Sequence, residues 1–391
     1  MMLTGEQYNA VSILQKWYNK YSKQIIEISG IAGTGIWHTI LKFIDFMEFD
    51  PREIMYLSYN QKQVLEMAAK RYHTYYINSR IYNYTRVIDF DTLSVVNPHN
   101  TGPTEYTWVK SVKKKIDPRY KLIIVFDSVL LNHKTLSDLA SFGLPIILLR
   151  DPMLLPAPDS WTFLREPEVT LRELNPTLLR NPITYFANKA LRQEAIKIGT
   201  YDNVSVINKK NLNLYNLKST EMIITISENV SNEINKIYRE KIMKLNGING
   251  INERVIVMNN MYNHKLVNKD EKKIKLFLQK GLVAYISKCN KHAVGTKYVP
   301  IELKTDFYYD VFTDLTMDRH YLNGIESIPS RQIIPDEIIL LKYAYALPVE
   351  LTRIMHWDKV LLILDNPEND YYNRLIYNAI IRAKQNLTIV I

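Results

Sequence analysis

The stretch EISGIAGTGIWHTI, residues 27–40, contains the turn that decides the fold of this chain. An apolar strand, Ile25–Ile28, runs into a turn that holds Gly30, Gly33 and Gly35, and a helix-like segment follows. Up to Gly35 the spacing fits the pattern G-x-x-x-x-G-K-[S/T], in which a glycine-rich loop and the start of a helix hold phosphate groups. The stretch therefore predicts a strand–loop–helix unit of an α/β protein.

The same pattern fails at the two positions after its last glycine. Ile36 stands where the phosphate-binding lysine belongs, and Trp37 stands where the magnesium-binding hydroxyl belongs. These residues alone leave three interpretations open. The stretch is a nucleotide site with altered chemistry, a relic put to another use, or a chance run of glycines.

Length and composition indicate a globular protein with several domains. At 391 residues the chain is too long for one ordinary core, so two or three domains are expected. Hydrophobic residues make up 47% and charged residues 23%, which argues against wholesale disorder. The apolar runs are strand-sized, the first ten residues do not resemble a signal peptide, and the single Cys289 excludes an internal disulfide. We expect a cytoplasmic protein without membrane contact or a metal site, with association with a virion as an alternative location.

The charge balance favours a polyanionic partner. The formal net charge is +10 and the pI is about 9.2. An AT-rich genome is the alternative explanation, because it raises Lys, Asn, Ile and Tyr together, and the chain has 27 Tyr. Charge alone therefore gives only modest support to nucleic-acid binding.

Apolar strands alternate with helix-like segments over the first 150 residues, which predicts a parallel sheet covered on both faces. The predicted strands are Ile25–Ile28, Ile54–Ser58, Arg86–Phe90, Leu122–Phe126 and Pro145–Leu149.

The rest of the chain divides by its patterns. A proline-rich segment after Asp151 is typical of a crossing between domains, and the helix–strand alternation resumes over residues 171–230. Residues 240–340 instead show short strands and turns with little helical period. The predicted domains are a first lobe at 1–160, a second lobe at 161–239 that is completed by 336–391, and a β-rich insertion at 240–335.

Five further segments match helicase-type motifs in a fixed order. The first has the form of a Walker B strand, which ends in an aspartate that helps to hold magnesium. The other four resemble vGDpxQLPP, LTExxRqxxdnPI, AxTvHKsQGsewdxVlv and rlYTAiTRAkxxLxiv. The five segments are KLIIVFDS (121–128), IILLRDPMLLPAP (146–158), VTLRELNPTLLRNPI (169–183), YAYALPVELTRIMHWDKVLLIL (343–364) and RLIYNAIIRAKQNLTIVI (374–391).

In this order and at these spacings the chain resembles the superfamily 1 DNA helicases of the RecD- and Dda-like branch, which is related to UvrD. LTGEQ (3–7) fits the adenine-reading motif of that family, and LSYNQKQVLEMAAKR (57–71) fits its first DNA-contacting segment. The resemblance weakens only over roughly residues 240–330. It implies an α/β fold of two RecA-like P-loop lobes with parallel sheets, which bind ATP between them and single-stranded DNA across the top. It also implies a small SH3-like insertion in the second lobe.

Most positions that would carry catalysis in that family are replaced. Besides Ile36 and Trp37, Ser128 replaces the water-positioning glutamate, Leu154 the phosphate-sensing glutamine and Pro176 the arginine that reaches the γ-phosphate. Each of these groups supplies a separate contribution to phosphoryl transfer. We therefore predict neither hydrolysis nor tight ATP binding, and we expect neither ATP nor magnesium as a cofactor.

Other family positions are replaced or survive as framework. Arg150 occupies a glycine position, and Pro348–His356 replaces the run that couples ATP to DNA. Asp127 and Arg382 are remnants of the catalytic set. The remnant nucleotide site comprises Gln7, Gly30, Gly33, Thr34 and Gly35.

Tyrosines and basic residues interleave after the second predicted strand, and bases can stack on such rings while cations hold the phosphates. A tyrosine-rich surface with some core packing is the alternative. The DNA-binding candidates are Tyr59, Asn60, Lys62, Arg71, Tyr72, Tyr75, Arg80, Tyr82 and Arg86.

Three hypotheses of function follow from the sequence. The first is a catalytically inactive helicase-like protein that binds single-stranded or junction DNA in phage or mobile-element replication or recombination. The second is a structural or interaction component of a larger phage assembly that has borrowed a helicase fold. The third is an active ATP-dependent helicase with a rearranged site.

Overall fold

The structure is a computed structural model. It describes residues 2–21, 23–88, 106–113, 115–157, 160, 166–245, 251–259, 261–267, 273–278, 280–289, 296–305, 311–324, 338–353, 355–365 and 371–391.

The described strands are β1 (Ile25–Gly30), β2 (Ile54–Ser58), β3 (Thr74–Tyr76), β4 (Tyr82–Ile88), β5 (Tyr106–Val112), β6 (Leu122–Val125), β7 (Ile146–Arg150), β8 (Val169–Leu171), β9 (Gly199–Tyr201), β10 (Val204–Ile207), β11 (Met222–Thr225), β12 (Arg254–Val257), β13 (Met261–Val267), β14 (Lys273–Leu278), β15 (Val283–Cys289), β16 (Tyr298–Lys304), β17 (Val311–Asp318), β18 (Ile338–Ile339), β19 (Leu341–Tyr343), β20 (Ala346–Pro348), β21 (Trp357–Ile363) and β22 (Ala383–Val390). The described α-helices are α1 (Gly5–Lys20), α2 (Ile36–Phe46), α3 (Gln61–Ala69), α4 (Ile77–Ile81), α5 (His133–Ala140), α6 (Pro176–Leu179), α7 (Pro182–Leu191), α8 (Leu214–Lys218), α9 (Glu228–Ile237), α10 (Arg319–Leu322) and α11 (Tyr372–Ile380).

The first lobe is built on a parallel sheet. Its strand order is β3-β2-β6-β7-β1-β8, and every neighbouring pair runs parallel. The central strands β2 and β6 are buried along their whole length, as expected for a parallel sheet with both faces covered. The sequence predictions for β1, β2, β6 and β7 are confirmed. The prediction of a further strand at Arg86–Phe90 is wrong in its setting, because β4 pairs antiparallel with β5 in a separate hairpin; residues 89 and 90 lie outside the described part of the chain.

The carboxyl edge of the first sheet brings together the segments that the motifs singled out. Parallel strands end at the same edge, so the glycine loop after β1, Tyr59 after β2, Asp127 after β6 and Asp151 after β7 all lie along it. In open α/β sheets this edge is where ligands bind. The fold therefore brings the glycine loop, Tyr59, Asp127 and Asp151 to one edge of the first sheet.

The second lobe is built on a mostly parallel sheet. The strand order is β20-β11-β21-β22-β10-β9, in which β11, β21, β22 and β10 run parallel and β9 is antiparallel. Helices α7 and α11 pack against each other and against β22. The predicted α/β fold with two parallel-sheet lobes is thereby confirmed.

The chain divides into two compact units. One comprises Met1–Ile81, Lys113–Ser231 and Leu347–Ile391 and contains both parallel-sheet lobes. The other comprises Tyr82–Val112 and Asn232–Ala346. It contains the β4–β5 hairpin and a second sheet. In that sheet the strands in the order β14-β13-β17-β16-β15-β12-β19 each run antiparallel to their neighbours. This sheet confirms the predicted β-rich insertion. Within the described residues, no helix combines the length and the apolar character that crossing a membrane requires.

Candidate nucleotide and nucleic-acid site

The glycine loop keeps the backbone geometry of a strand-to-helix turn. Gly33 and Gly35 have φ of 96° and 76°, which strain any residue with a Cβ. A Cβ on Gly35 would also overlap the side-chain amide nitrogen of Gln7. Gly35 precedes the first residue of α2, and no side chain caps this helix start. The glycines therefore serve the turn itself.

Gln7 lies on this loop and is fully engaged with the protein chain. Its Nε2 donates to the Thr34 carbonyl oxygen at 2.7 Å. Its Oε1 accepts from the Thr4 backbone N–H at 2.8 Å and from Asn175 Nδ2 at 3.3 Å. The residue is completely buried. The Gln7 side-chain amide thus joins α1 to the glycine loop by hydrogen bonds. In the adenine-reading motif that LTGEQ resembles, this amide would face the ligand.

Trp37 is partly buried and packs against the core of the first lobe. Its ring centroid lies 5.2 Å from that of Phe126, 6.0 Å from that of Tyr56 and 6.1 Å from that of Tyr72. Ile36 packs against the same core and is partly buried. The two positions after the last glycine therefore supply core contacts where a nucleotide site needs a cation and a hydroxyl.

Ser128 and Arg150 are explained by a third residue, Glu27, which the sequence analysis did not single out. The Ser128 hydroxyl donates to Glu27 Oε1 at 3.2 Å, and Arg150 lies 3.5 Å from Glu27 Oε2. Glu27 and Ser128 are completely buried, and Arg150 shields the carboxylate from one side. A buried carboxylate needs a cation and hydrogen bonds. Ser128, at the glutamate position of one motif, and Arg150, at the glycine position of another, thus form one polar cluster with Glu27 in β1. The sequence signal for this cluster is the charged residue inside the apolar run IIEISG.

Three charged remnants face one another beside this cluster. Asp127 and Asp151 lie at the ends of β6 and β7, and Arg382 is buried with its Nε donating to the Asn378 carbonyl oxygen at 3.0 Å. Burial raises the pKa of Asp127 against the opposing field of Arg382. Burial also raises the pKa of Asp151 to about 6, although the Tyr377 hydroxyl and the Met153 N–H donate to its carboxylate. Asp151 is therefore a carboxylate that takes up a proton on mild acidification.

We expect the titration of Asp151 to make stability depend on pH. Because the pKa of Asp151 in the folded protein lies above the ordinary value of 3.8, the folded state keeps a proton that the unfolded state has lost. The free energy of unfolding should fall by an amount on the order of 2 kcal/mol as the pH rises from about 4 to about 6, and then level off.

This prediction is checked by urea unfolding of the wild type and of Asp151→Asn at a series of pH values. The difference in free energy of unfolding between the two proteins cancels the other titrating groups. A difference that stays constant between about pH 4 and pH 7 would contradict the prediction.

The remaining motif positions have different settings, with Leu154 buried and Pro176 exposed. Leu154 is buried, and its carbonyl oxygen accepts a hydrogen bond from Arg374 at 2.6 Å. Pro176 is the first residue of α6, which the Asn175 side chain caps by accepting from the Thr177 N–H at 3.0 Å. Among the described residues of 348–356, the buried ones are Pro348, Val349, Thr352 and Met355, and His356 is half-buried.

His356 meets the start of α3 in the first lobe. Asn60 Nδ2 lies 3.2 Å from His356 Nδ1, and Lys62 Nζ donates to the His356 carbonyl oxygen at 3.4 Å. Lys62 also lies 3.7 Å from the carboxylate of Glu221. Burial, together with nearby cations, holds the pKa of His356 well below its usual range. Asn60 is buried and Lys62 is partly exposed, and the structure brings these two DNA-binding candidates together with Tyr59, which contacts Tyr76 edge to face.

The other DNA-binding candidates are spread over several settings. Tyr72 belongs to the aromatic cluster of Trp37. Tyr75 donates or accepts a hydrogen bond with Tyr120 at 2.8 Å, and the Arg80 guanidinium lies 4.5 Å from the Tyr75 ring centroid. Arg71 is exposed at the end of α3.

The last two candidates lie on the hairpin. Tyr82 is buried, and Arg86 pairs with Trp108 across β4 and β5. The side chain of Arg86 lies outside the described part of the chain. Among the candidates of the first compact unit, the start of α3 holds Tyr59, Asn60 and Lys62, whereas Tyr72 lies in the aromatic cluster of Trp37.

The residues around the glycine loop do not fit a magnesium-bound nucleotide. The loop is followed by Ile36 and Trp37, and the catalytic-acid position is a serine bonded to Glu27. Magnesium also requires oxygen ligands in near-octahedral arrangement. In the part of the chain that the structure describes, no group of three or more His, Cys, Asp or Glu side chains is arranged to hold a metal ion.

Comparisons with known proteins concern the fold. No protein-family model matches the chain, and no curated protein matches it by sequence. Among solved structures, the chain is similar to a Pif1 helicase from a study of DNA unwinding at forked double-stranded DNA, with a TM-score of 0.45, 10% identity and coverage of 100% of this chain and 92% of that chain. It is also similar to Pif1 helicase from Bacteroides in complex with ADP-AlF3 and single-stranded DNA (TM-score 0.41, 14% identity, coverage 100% and 92%) and to Pif1 helicase from Candida albicans (TM-score 0.39, 11% identity, coverage 100% and 94%). At these identities and TM-scores, the chemistry of this chain has to be argued from its own residues.

Proposed function

We propose that this protein is a catalytically inactive, helicase-like protein that binds single-stranded DNA in phage or mobile-element replication or recombination. The observation that carries the proposal concerns three positions that carry catalysis in the helicases this chain resembles. The residues at these positions contact other residues of the protein instead. Ile36 and Trp37 are partly buried and pack against the core, and Ser128 bonds to the buried Glu27. The phage setting is supported by the composition, with 27 Tyr and a +10 charge, and the cytoplasm or the virion is the corresponding location.

Physical chemistry supports the lack of hydrolysis. Phosphoryl transfer depends on positioning and on stabilising the charge of the transition state. Removing a single preorganised donor from an active site costs about 3–4 kcal/mol of transition-state stabilisation. Here the lysine, the hydroxyl, the glutamate and the arginine are all absent from their motif positions. Such losses are not additive, but together they leave no group to activate water or to neutralise the γ-phosphate.

The charge and the carboxyl edge of the first sheet support DNA as the ligand. Tyr59 and Lys62 lie together at this edge, beside the second lobe, and both are partly exposed. A cation and a ring in this arrangement suit a phosphate and a base of a single strand, whatever its sequence. Junction DNA is included in the proposal, because its single-stranded arms offer the same groups.

The test combines an ATPase assay with DNA binding. We expect no ATP turnover above background with or without single-stranded DNA, and binding of a labelled oligothymidine that weakens steeply between about 50 and 200 mM salt. Lys62→Glu should weaken this binding by about tenfold or more. Arg52→Glu is the charge-matched control, because Arg52 precedes β2 and lies at the opposite edge of the sheet.

Each outcome of this test has a separate meaning. Turnover that follows the purified protein and is lost on Asp127→Ala would overturn the proposed inactivity. An absence of salt-dependent DNA binding would overturn the proposed ligand.

One observation favours a second candidate function, that of an interaction component in a larger phage assembly. The segment around α8 exposes Tyr215 at 77% and Leu214 at 47%, next to the exposed Lys209, Lys210 and Lys218. The exposed Tyr215 and Leu214, with lysines nearby, could bind a protein surface that carries acidic side chains around an apolar centre. Co-purification of a stoichiometric protein partner that is lost on Tyr215→Ala, together with no DNA affinity, would favour this candidate over the first.

A further inference from the structure

The glycine loop is bonded through its backbone to two helices of the second lobe. The Ala32 N–H donates to the Tyr377 hydroxyl oxygen at 2.7 Å, and Asn188 Nδ2 donates to the Ala32 carbonyl oxygen at 2.8 Å. Tyr377 lies on α11 and Asn188 on α7, and both side chains are buried. In a phosphate-binding loop the backbone N–H groups are the groups that cradle the phosphates. At Ala32 this donor is used by the protein itself.

A second set of bonds joins α11 to the segment that follows β7. Arg374 donates to the carbonyl oxygens of Pro152, Met153 and Leu154 at 3.1, 2.9 and 2.6 Å. Asn378 donates to the Met153 carbonyl oxygen at 2.7 Å and accepts from the Leu155 N–H at 3.0 Å.

These bonds are directional, and part of the set is buried. Asn378 is buried, and Arg374 binds three consecutive carbonyl groups with one planar guanidinium. Breaking such a contact leaves buried donors and acceptors unpaired, which costs more than the bond contributes when made.

Tyr377 connects the two sets of bonds. Its hydroxyl donates to Asp151, at the start of the segment that Arg374 and Asn378 hold, while accepting from Ala32 in the glycine loop. Burial, with the neighbouring Asp151 carboxylate, raises the pKa of Tyr377 well above its usual range, so the hydroxyl keeps the proton that it donates. One neutral hydroxyl thus bridges the ends of β1 and β7 from the opposite lobe.

We propose that Asn188, Arg374, Tyr377 and Asn378 form an interlobe clasp, in which Tyr377 is the resident ligand of the glycine loop and the two lobes are held in one arrangement that nucleotide does not change. The inference rests on the proposed absence of hydrolysis and deepens it. A helicase of this fold needs lobes that move with the state of the nucleotide, whereas the clasp makes the relation between the lobes a property of the folded chain. DNA bound at the lobes would then be held without a power stroke.

The clasp is tested by measuring the distance between the lobes with spin labels. Lys134→Cys on α5 and Lys218→Cys on α8 are exposed positions in the first and second lobes, and Cys289→Ser removes the one native cysteine. We expect one narrow distance distribution that stays the same with magnesium and ATP, with ADP, and without nucleotide. The clasp variant Tyr377→Phe with Asn188→Ala should broaden or shift this distribution.

Tyr372→Phe is the matched control, because it removes a hydroxyl from a half-buried tyrosine at the first residue of the same helix, five residues before Tyr377. Its distribution should equal that of the wild type. Hydrogen exchange gives a second measurement that does not need the labels. Exchange at the amide of Ala32 should become about tenfold faster in the clasp variant and stay unchanged in the control.

Either of two results would overturn the clasp. One is a wild-type distribution that shifts when nucleotide is added, and the other is a folded clasp variant with wild-type distances and wild-type exchange at Ala32. Neither measurement uses DNA or turnover. The failure of the clasp is therefore distinguishable from failure of the proposed function, which the ATPase and DNA-binding assays report.

Discussion

Trp37→Ala is expected to lower the free energy of unfolding by about 3 kcal/mol, although the residue lies at a position that in a phosphate-binding loop faces the ligand. The Trp37 ring contacts three other aromatic rings, those of Tyr56, Tyr72 and Phe126. Removing it takes away both the apolar area that the partly buried ring covers and the ring–ring contacts, and leaves Tyr56 and Phe126 with fewer packing partners. Urea unfolding followed by far-ultraviolet circular dichroism measures the loss.

Phe46→Ala is the matched control for this prediction. Phe46 is an aromatic residue at the other end of α2 and is 56% exposed. Its removal should change the free energy of unfolding by no more than about 0.5 kcal/mol. If Trp37→Ala were as harmless as Phe46→Ala, the interpretation of Trp37 as a core residue would be wrong, and a role toward a ligand would return.

Ser128→Glu restores the acid of the Walker B strand and is expected to destabilise the protein by about 3–4 kcal/mol instead of conferring activity. The new carboxylate would lie against Glu27, whose carboxylate is completely buried and has Arg150 as its cation. Two acids with one arginine in a buried space leave one negative charge uncompensated. The larger side chain also has no room at a position without solvent exposure.

Two further variants separate charge from size in this prediction. Ser128→Ala loses only the hydrogen bond to Glu27, so a cost of about 1 kcal/mol is expected. Combining Ser128→Glu with Glu27→Gln removes the like charge and should recover more than half of the lost stability, which a double-mutant cycle measures over the wild type, the single variants Ser128→Glu and Glu27→Gln, and the double variant. A Ser128→Glu protein that unfolds at the urea concentration of the wild type would contradict the buried cluster.

The parts of the fold that the sequence predicted are those whose local pattern and tertiary setting agree. β1, β2, β6 and β7 are continuous apolar runs, and such runs form the buried strands of a parallel sheet. β3 was not predicted, because three residues, Thr74–Tyr76, carry too little periodicity. The strand around Arg86 was placed in the wrong sheet, since the length of a strand does not reveal whether its partner is parallel or antiparallel.

The sequence was enough to predict which motif residues are replaced in the candidate site. It was not enough to predict what the replacing residues contact. The motif spacing located Ile36, Trp37 and Ser128 by comparison with residues that are required for chemistry. The spacing could not show what each replacement contacts, because Glu27 lies about a hundred residues from Ser128 along the chain. Tyr377 was quoted within a motif without a role of its own, and its bond to Ala32 spans an even longer separation. The Ser128–Glu27 contact depends on the strand order within the first sheet, and the Tyr377–Ala32 contact depends on how the two sheets are placed. A pattern within one segment encodes neither.

The hairpin of β4 and β5 leaves and rejoins the first lobe at a single point. The Lys113 N–H donates to the Ile81 carbonyl oxygen at 2.8 Å, so the chain returns to the place where it left. An insertion closed in this way adds only about 0.6 kcal/mol of entropic cost for each doubling of its length. The parallel sheet is therefore insulated from changes between these two residues. Segments of different length and composition can therefore be accommodated at this junction while the parallel sheet keeps its structure.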